Sequence, residues 1–248
     1  MNALVDEFLS TLFPRPCPLC RKVILDKREG FCAACLEAFQ VIQEPVCYRC
    51  GYPLVGKREP EGFLCPGCIA RNAPVPPSFT VRSIALYAGN VRQAILRVKY
   101  GRQAPVARSL SVFARDHFTR FFPLSGFDRV VPVPLHPKRL RAREFNQCVL
   151  LARPLAAQLG VPLDLDAVER VRHTLPQSAS TVMARRKNLR GAFQVRKVPR
   201  IEGQSILVLD DVYTTGATLE ALALCLLSAG ASRVAALTLA RSPSPTIS

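Results

Sequence analysis

The sequence predicts an α/β protein whose parallel sheet is flanked by helices and preceded by a small cysteine-rich module. Two continuous apolar runs, Ile206–Leu209 and Val234–Ala240, have the character of strands buried on both faces. Between them, Ala217–Ser228 has the composition of a helix and is followed by Gly230. A strand, a crossover helix and a second strand are the repeating unit of a parallel sheet. Eight of the ten cysteines form four C-x-x-C pairs near the N-terminus.

Length and composition place this chain among globular proteins with two parts. A chain of 248 residues accommodates one ordinary domain and a small one, and 49% apolar residues exclude a disordered chain. The prolines at 74, 76 and 77 interrupt the pattern, so we expect a cysteine module over residues 1–75 and an α/β domain over residues 76–248.

The ends and hydropathy of the chain predict a cytoplasmic protein. No apolar run reaches the roughly 18 residues that a membrane-spanning helix needs. Asp6 and Glu7 stand where a secretion signal would be basic. Clustered cysteines in a reducing compartment more often bind metal than form disulfides.

Positive charge is concentrated in the second part of the chain. The formal net charge is +16, of which residues 1–75 contribute +1 and residues 76–248 contribute +15. Such a field predicts a polyanionic partner, either nucleic acid, a phosphorylated small molecule or both. The alternative is a basic surface that keeps the protein soluble and has no dedicated partner.

Further elements of the α/β domain follow from local patterns. A helix capped by Asn90 would place Val91, Ile95 and Val98 on one face. The short run at Arg129–Pro134 ends in prolines, which suits a strand end or a sheet edge. The remaining predicted elements are strands at Val81–Tyr87, Val168–Val171 and Ala192–Val195 and helices at Pro105–Phe122 and Asn146–Leu159, the last closed by Gly160.

The C-x-x-C pairs predict two structural zinc sites. Each pair can turn two thiolates toward one centre, and a second pair completes a tetrahedron of sulfur ligands. Pairing in sequence order is simplest, although crossed pairings, iron–sulfur clusters and redox disulfides remain alternatives. Cys148 and Cys225 lie inside predicted helices and are expected to be buried thiols. The predicted ligands are Cys17, Cys20, Cys32 and Cys35 for one ion and Cys47, Cys50, Cys65 and Cys68 for the other.

The segment from Asp210 to Thr218 predicts an anion site. A buried strand leads into Asp210 and Asp211, then a short loop of threonines with Gly216, and then a helix. Amide groups at a helix N-terminus, threonine hydroxyls and a glycine that permits close approach favour a phosphate. The carboxylates can accept hydrogen bonds from sugar hydroxyls or hold Mg²⁺. The alternative is an ordinary strand–helix connection with threonine caps.

This segment resembles the phosphoribosyl diphosphate (PRPP) signature of type I phosphoribosyltransferases. The chain as a whole resembles the ComF competence family, which combines a double zinc ribbon with a phosphoribosyltransferase domain. The segments that carry this resemblance, besides the anion loop and the cysteines, are Val131–Arg141, Phe145–Gln147, Arg172–Gln177 and Arg186–Asn188.

The resemblance implies a function and a set of site residues. It implies PRPP binding with Mg²⁺, a role in natural transformation and DNA uptake, single-stranded DNA as a partner, and contacts with the uptake machinery. Ribose hydroxyls would contact Asp210 and Asp211, which would also be the catalytic residues. The phosphate would be held by Thr214, Thr215, Gly216, Ala217 and Thr218, and the pyrophosphate loop and mobile hood would supply His136, Lys138, Arg139, Arg141, Arg172, Thr174, Gln177, Arg186 and Asn188.

Several questions stay open at the level of sequence. Glu144 replaces a glycine that is usual in the family, so a left-handed turn there would strain the backbone. Alternation along a strand sends neighbouring side chains to opposite faces, so Asp210 and Asp211 should serve one ligand only if the strand has ended. The resemblance favours an enzyme. No general base for an acceptor is evident, however, so the sequence does not establish turnover. The alternatives are a non-catalytic nucleic-acid-binding module on the same fold and a base-salvage phosphoribosyltransferase.

Overall fold

The structure of this chain is a computed structural model that describes residues 15–24, 30–54, 62–70, 76, 78–101, 103–172 and 188–243. The first part of the chain contains β1 (Arg15–Pro16), β2 (Val23–Ile24), α1 (Ala33–Glu37) and α2 (Pro66–Ala70). The second part contains β3 (Phe79–Leu86), α3 (Gly89–Gly101), α4 (Ala104–Phe118), β4 (Arg129–Pro132), α5 (Pro137–Arg143), α6 (Gln147–Leu159), β5 (Val168–Arg170), β6 (Phe193–Val195), a 3₁₀ turn (Val198–Arg200), β7 (Ser205–Tyr213), α7 (Ala217–Ser228) and β8 (Arg233–Arg241).

A four-stranded parallel sheet forms the centre of the second part, in the order β3-β8-β7-β4. The predicted strands are confirmed in place, and β7 extends four residues beyond the predicted end at Leu209. The β4 strand forms one edge of the sheet, where its terminal Pro132 costs no interior hydrogen bond. The two weaker strand predictions are also confirmed, since β5 and β6 pair with each other in antiparallel orientation.

Alternate residues of β7 divide the core into two layers. Leu207 and Leu209 face a cluster that includes buried residues of α3, α4 and α6. Ile206 and Val208 belong to a second cluster with the buried face of α7. Helices therefore cover both faces of the sheet, which explains why β7 and β8 are apolar along most of their length.

The ends of α6 are set by the residues that the sequence predicted. The side chain of Asn146 accepts a hydrogen bond from the Cys148 amide at 3.0 Å and donates to the Val133 carbonyl at 2.9 Å. Gly160 closes the helix in the left-handed conformation, at φ 66°. Asn146 thus fixes the start of α6 to the end of β4, beside the carboxyl edge of the sheet.

The cysteine-rich part shares its core with the sheet and helices. Arg97 of α3 donates to the carbonyls of Pro18 and Leu19 at 2.7 and 3.1 Å. Residues 40–42 run antiparallel along the outer edge of β3, with backbone hydrogen bonds of 2.8 Å from Ile42 to Ile84 and 2.9 Å from Leu86 to Gln40. The cysteine-rich part therefore covers an edge of the main sheet.

Among the described residues, the helices are all too short or too polar to cross a bilayer.

Candidate functional site

The eight paired cysteines form two clusters of four. Within each cluster the sulfur atoms lie within 4.8 Å of one another. Two of the contacts are 3.4 Å, between Cys20 and Cys32, and 3.7 Å, between Cys50 and Cys65. A tetrahedral zinc ion with bonds of about 2.3 Å separates its sulfur ligands by ~3.8 Å, so both clusters fit zinc. The pairing in sequence order is confirmed, and the two clusters are the Cys₄ sites of a zinc ribbon.

Hydrogen bonds among the thiols prepare the second cluster for a cation. The other three thiols hydrogen-bond to Cys47 and lower its pKa far below the usual range. The same contacts with Cys47 raise the pKa of Cys68, because adjacent sulfurs compete for negative charge. A dication resolves this competition by allowing all four sulfurs to ionise.

A buried arginine joins the second cluster to the main sheet. Arg241, at the end of β8, is 1% exposed and donates to the Cys50 carbonyl at 2.8 Å. Its guanidinium lies between the rings of Tyr52 and Tyr213, 4.8 and 4.9 Å from their centroids. A zinc ion with four thiolates carries a net negative charge, and the Arg241 guanidinium, 3.9 Å from the Cys50 sulfur, offsets part of it.

A cavity of about 330 Å³ opens at the carboxyl ends of β4 and β7. This is the edge at which open α/β sheets bind their ligands. The cavity therefore lies where the sequence predicted the anion site. Its lining consists of Tyr87, Lys99, Val133, Leu135, Arg139, Arg143, Gln147, Cys148, Arg170, Asp210, Asp211, Val212, Thr214 and Thr218.

Asp211 is held by two donors from different helices. Lys99 of α3 forms an ion pair with one carboxylate oxygen at 2.8 Å, and Gln147 of α6 donates to the other at 2.7 Å. Burial lowers the pKa of Lys99, but the neighbouring Asp211 carboxylate outweighs it, so the net shift is upward. Lys99 is therefore a fixed cation within the cavity. Gln147, only 5% exposed, must turn its amide oxygen away from Asp211, and no donor from the described part of the chain reaches that oxygen.

Asp210 differs from its neighbour in its ionisation. Its carboxylate accepts from the Asp211 amide at 2.8 Å and from the Cys148 thiol at 3.4 Å. Burial and the adjacent Asp211 carboxylate raise the pKa of Asp210 to about 7. Burial likewise raises the pKa of Cys148, which remains a thiol. Asp210 can therefore hold or release a proton near neutral pH.

The two aspartates line one cavity although the strand continues past them. The sequence argument required the strand to end at Asp210, but β7 runs to Tyr213 and keeps its pairing with β8. Their carboxylates and the Cys148 sulfur nevertheless lie within 4.8 Å of one another. The expectation from strand alternation was wrong here, because the cavity lies beyond the carboxyl edge rather than over one face of the sheet.

The loop after β7 requires a glycine at position 216. Gly216 is in the left-handed region at φ 81°, and a Cβ atom there would lie 2.8 Å from Cζ of Tyr213. Only glycine satisfies both constraints. Thr214 and Thr218 line the cavity, whereas Ala217 is 4% exposed and begins α7. Thr215 and Gly216 belong to the same loop without lining the cavity themselves, and the Thr215 hydroxyl accepts from the Ala217 amide at 3.4 Å.

Of the predicted pyrophosphate residues, Arg139 alone lines the cavity. Lys138 and Arg141 are exposed on α5 and do not line it. His136 caps this helix, because its ring nitrogen accepts a hydrogen bond from the Lys138 amide at 3.2 Å. This contact gives His136 a structural role at the start of α5.

Glu144 occupies the strained turn that its position predicted. It closes α5 in the left-handed conformation, at φ 67° and ψ −19°, and its amide donates to the Leu140 carbonyl at 2.7 Å. The loop keeps the geometry that a glycine would favour, and the backbone bears the steric cost.

Only the two ends of the predicted hood, at Arg172 and Asn188, lie among the described residues. Arg172 is exposed and donates to the Arg190 carbonyl at 2.9 Å, and Asn188 is exposed and helical. Neither side chain lines the cavity. Thr174, Gln177 and Arg186 lie outside the described residues.

Sequence reasoning missed several residues of the cavity. Lys99 lies outside the resemblance segments, and only its place in the last turn of a predicted helix distinguished it. Gln147 belonged to a resemblance segment, yet no role was assigned to it. Arg143 and Arg170 line the cavity while stacking on Tyr100 and Phe193, at 5.8 and 5.5 Å from the ring centroids. Cys148, expected to be a buried thiol, is buried beside Asp210, and Cys225 is half-buried.

The carboxylates fit Mg²⁺ poorly. This ion requires near-octahedral oxygen ligands at about 2.1 Å. Both oxygens of Asp211 already have donors, one of them the Lys99 ammonium. Burial and the Asp211 carboxylate raise the pKa of Asp210 to about 7, so it is only partly ionised near neutral pH, and its other neighbour is a thiol. The described residues therefore do not form a magnesium site of their own.

Fold and sites together define a class of protein, a phosphoribosyltransferase-type domain that carries a double zinc ribbon. Residues 146–247 match the phosphoribosyl transferase domain family, and residues 8–69 match the double zinc ribbon domain family. The DNA utilization protein YhgH of Escherichia coli (strain K12) is 33% identical over 224 residues, covering 89% of this chain and 94% of that protein. The chain belongs to the ComF family.

Two further relatives carry competence names. Competence protein F of Haemophilus influenzae is 29% identical over 91% of this chain and 96% of its own length. Competence protein ComFC of Bacillus subtilis is 28% identical over 88% of this chain and 87% of its own length. Both similarities therefore cover most of this chain.

Solved structures of phosphoribosyltransferases resemble part of the chain more distantly. The glutamine PRPP amidotransferase of B. subtilis is 17% identical over 58% of this chain and 30% of that chain, with a TM-score of 0.40. A hypoxanthine phosphoribosyltransferase of Staphylococcus aureus is 18% identical over 55% of this chain and 64% of that chain, with a TM-score of 0.33.

Proposed function

We propose that this protein binds PRPP in the cavity at the carboxyl edge of the sheet and acts in DNA utilization. The observation that carries the first part is the convergence of Asp210, Thr214 and Thr218 with four basic side chains on one cavity. Two relatives are named for competence and one for DNA utilization, which supports the second part.

The chemistry of the lining supports a phosphorylated sugar as the ligand. Threonine hydroxyls and the amides at the start of α7 suit the 5′-phosphate. Asp210 and the unmatched Gln147 oxygen, both acceptors, suit ribose hydroxyls. Arg139, Arg143 and Lys99 suit the diphosphate.

Catalysis would use these groups to stabilise the departing pyrophosphate. Breaking the bond between the ribose carbon and the diphosphate leaves a cationic sugar and an anionic leaving group. The cavity arginines would bind the leaving group, and the hood residues predicted by resemblance would exclude water. Mg²⁺ remains a prediction. Because the carboxylates of the lining fit this ion poorly, it would enter the cavity bound to the diphosphate.

Single-stranded DNA is the partner that the charge supports. Residues 76–248 carry +15, and three arginines at the cavity extend this field to the site. Affinity for a single-stranded oligonucleotide of arbitrary sequence should fall steeply as the salt concentration rises, because binding releases counterions. We also propose contacts with DNA-uptake proteins and a cytoplasmic location, as the family resemblance implies.

Calorimetry with the zinc-loaded chain tests the ligand. PRPP should bind to the native protein, and Asp210→Asn should weaken binding at least tenfold. Asp166→Asn is the matched control, since Asp166 is an exposed aspartate outside the cavity. The absence of PRPP binding by the native chain would reject the ligand assignment.

Turnover separates an enzyme from the alternative of a non-catalytic nucleic-acid-binding module. Release of pyrophosphate from PRPP on adding a nucleobase or DNA would establish the transferase. Salt-sensitive DNA binding without any release, at saturating PRPP, would favour the binding module.

A further inference from the structure

The cavity already contains a cation where phosphoryl chemistry commonly places a metal. Lys99 reaches into it from the last turn of α3, with its side chain 17% exposed. Its ammonium lies 2.8 Å from the Asp211 carboxylate, whose side chain is 8% exposed. This pair is part of the wall, so the ammonium is already positioned before any ligand binds.

The remaining charges of the lining also favour an anion over a dication. Four basic side chains, Lys99, Arg139, Arg143 and Arg170, face two carboxyl groups across the same cavity. The lining therefore has an excess of at least two positive charges. A dication entering such a site is repelled, whereas a polyanion is attracted without help.

Both oxygens of Asp211 already accept from a donor, so a metal bound there would compete with the Lys99 ammonium for the same carboxylate. Lys99 occupies one of its oxygens and Gln147 the other. Gln147 is in turn held at the start of α6, where Asn146 anchors the helix to Val133. Replacing Lys99 with a metal at Asp211 would leave the ammonium buried beside a dication.

We propose that PRPP binding to this protein does not require a divalent metal and that Lys99 supplies the fixed positive charge that makes this possible. The inference rests on the proposed function, because it concerns the same ligand in the same cavity. Lys99 is a binding residue here, and the arginines of the lining act with it on the diphosphate.

The test compares PRPP affinity with and without Mg²⁺ by calorimetry. The full chain should carry its structural zinc, so magnesium is removed by dialysis against metal-free buffer rather than with a chelator that would strip the ribbons. We expect the dissociation constant of the native protein to change less than threefold between magnesium-free buffer and excess Mg²⁺. A loss of affinity of tenfold or more without magnesium would overturn the proposal.

Variants of Lys99 assign the effect to this residue. Lys99→Met should weaken magnesium-free binding at least tenfold, and Mg²⁺ should restore part of the loss because Asp211 is then open to a metal. Lys99→Arg keeps the charge and should remain close to the native protein. Lys197→Met is the matched control, since Lys197 pairs with Asp166 on the surface at 3.5 Å.

The outcomes distinguish this inference from the proposed function. Binding that depends on Mg²⁺ in the native protein would refute the role of Lys99 and leave PRPP as the ligand. Native affinity in a folded Lys99→Met variant, without magnesium, would also refute it. The absence of PRPP binding in every buffer would reject the ligand itself. Because the native protein alone decides the metal dependence, the test holds even where Lys99→Met fails to fold.

Discussion

Replacing Glu144 with glycine should stabilise the protein. Glu144 is a non-glycine residue in the left-handed region, at φ 67°. That conformation costs an ordinary residue about 1–2 kcal/mol. Glycine avoids this cost but loses about 0.5–1 kcal/mol more chain entropy on folding. The hydrogen bond from residue 144 to the Leu140 carbonyl uses the backbone, so glycine retains it.

The difference predicts a gain of up to about 1.5 kcal/mol in the free energy of unfolding, with a midpoint of ~0.75 kcal/mol. For a chain of this size, 1 kcal/mol moves the melting temperature by about 2–4 °C. Thermal and denaturant unfolding of the zinc-loaded protein would measure the change. Glu144→Asn should show a smaller gain, because asparagine tolerates the left-handed region better than glutamate.

Gly160→Ala provides a control with the opposite sign. Gly160 ends α6 at φ 66°, and a Cβ atom there would meet nothing within 4 Å. Its substitution therefore adds backbone strain alone and should cost about 1 kcal/mol. If Glu144→Gly destabilises the protein while Gly160→Ala behaves as expected, contacts of the Glu144 side chain outweigh the strain, and the reasoning fails.

Three other predictions concern the zinc sites and Asp210. Zinc analysis of the native chain should give two ions, and Cys20→Ser should lower this toward one while leaving the second cluster intact; two ions retained in the variant would contradict the ligand set. Arg241→Met should speed zinc release from the cluster that contains Cys50, measured with a colorimetric chelator, because it removes the positive charge beside the thiolates; unchanged release would refute this role. The pKa of Asp210 is raised from its ordinary value to about 7, so its contribution to stability should decline as pH rises from about 4 to 7, and Asp210→Asn should abolish this dependence. A difference between variant and native protein that is flat over this range would show that Asp210 ionises freely.

The sequence predicted the elements well where one local signal dominates. The βαβ unit around α7 and the close of α6 at Gly160 follow from apolar runs and capping chemistry, and both are confirmed. The predicted cap at Asn90 was wrong, because α3 begins one residue earlier, at Gly89. The four C-x-x-C pairs followed from spacing, but the spacing left crossed pairings open, and the structure decides for pairing in sequence order.

The side chains of the cavity were predicted less completely, because they meet only in three dimensions. Lys99 comes from a helix that precedes the first core strand of the resemblance, and its partner Asp211 is more than a hundred residues away. The direction of Asp211 could not follow from strand alternation, since the end of the sheet, rather than one face, forms the cavity wall. Lys138 and Arg141 have the right chemistry but lie on exposed turns of α5.

The contacts of residues 40–42 and Arg97 limit where the chain can be truncated. A fragment starting at the proline-rich break would leave the Ile84 carbonyl and the Leu86 amide of β3 without their backbone partners. Such an open edge invites pairing with other chains. Arg97 would also lose both of the carbonyls that it binds at the first ribbon. A fragment that contains the phosphoribosyltransferase-type domain without its ribbons is therefore expected to aggregate, and expression of the second part alone is a poor route to studying the cavity.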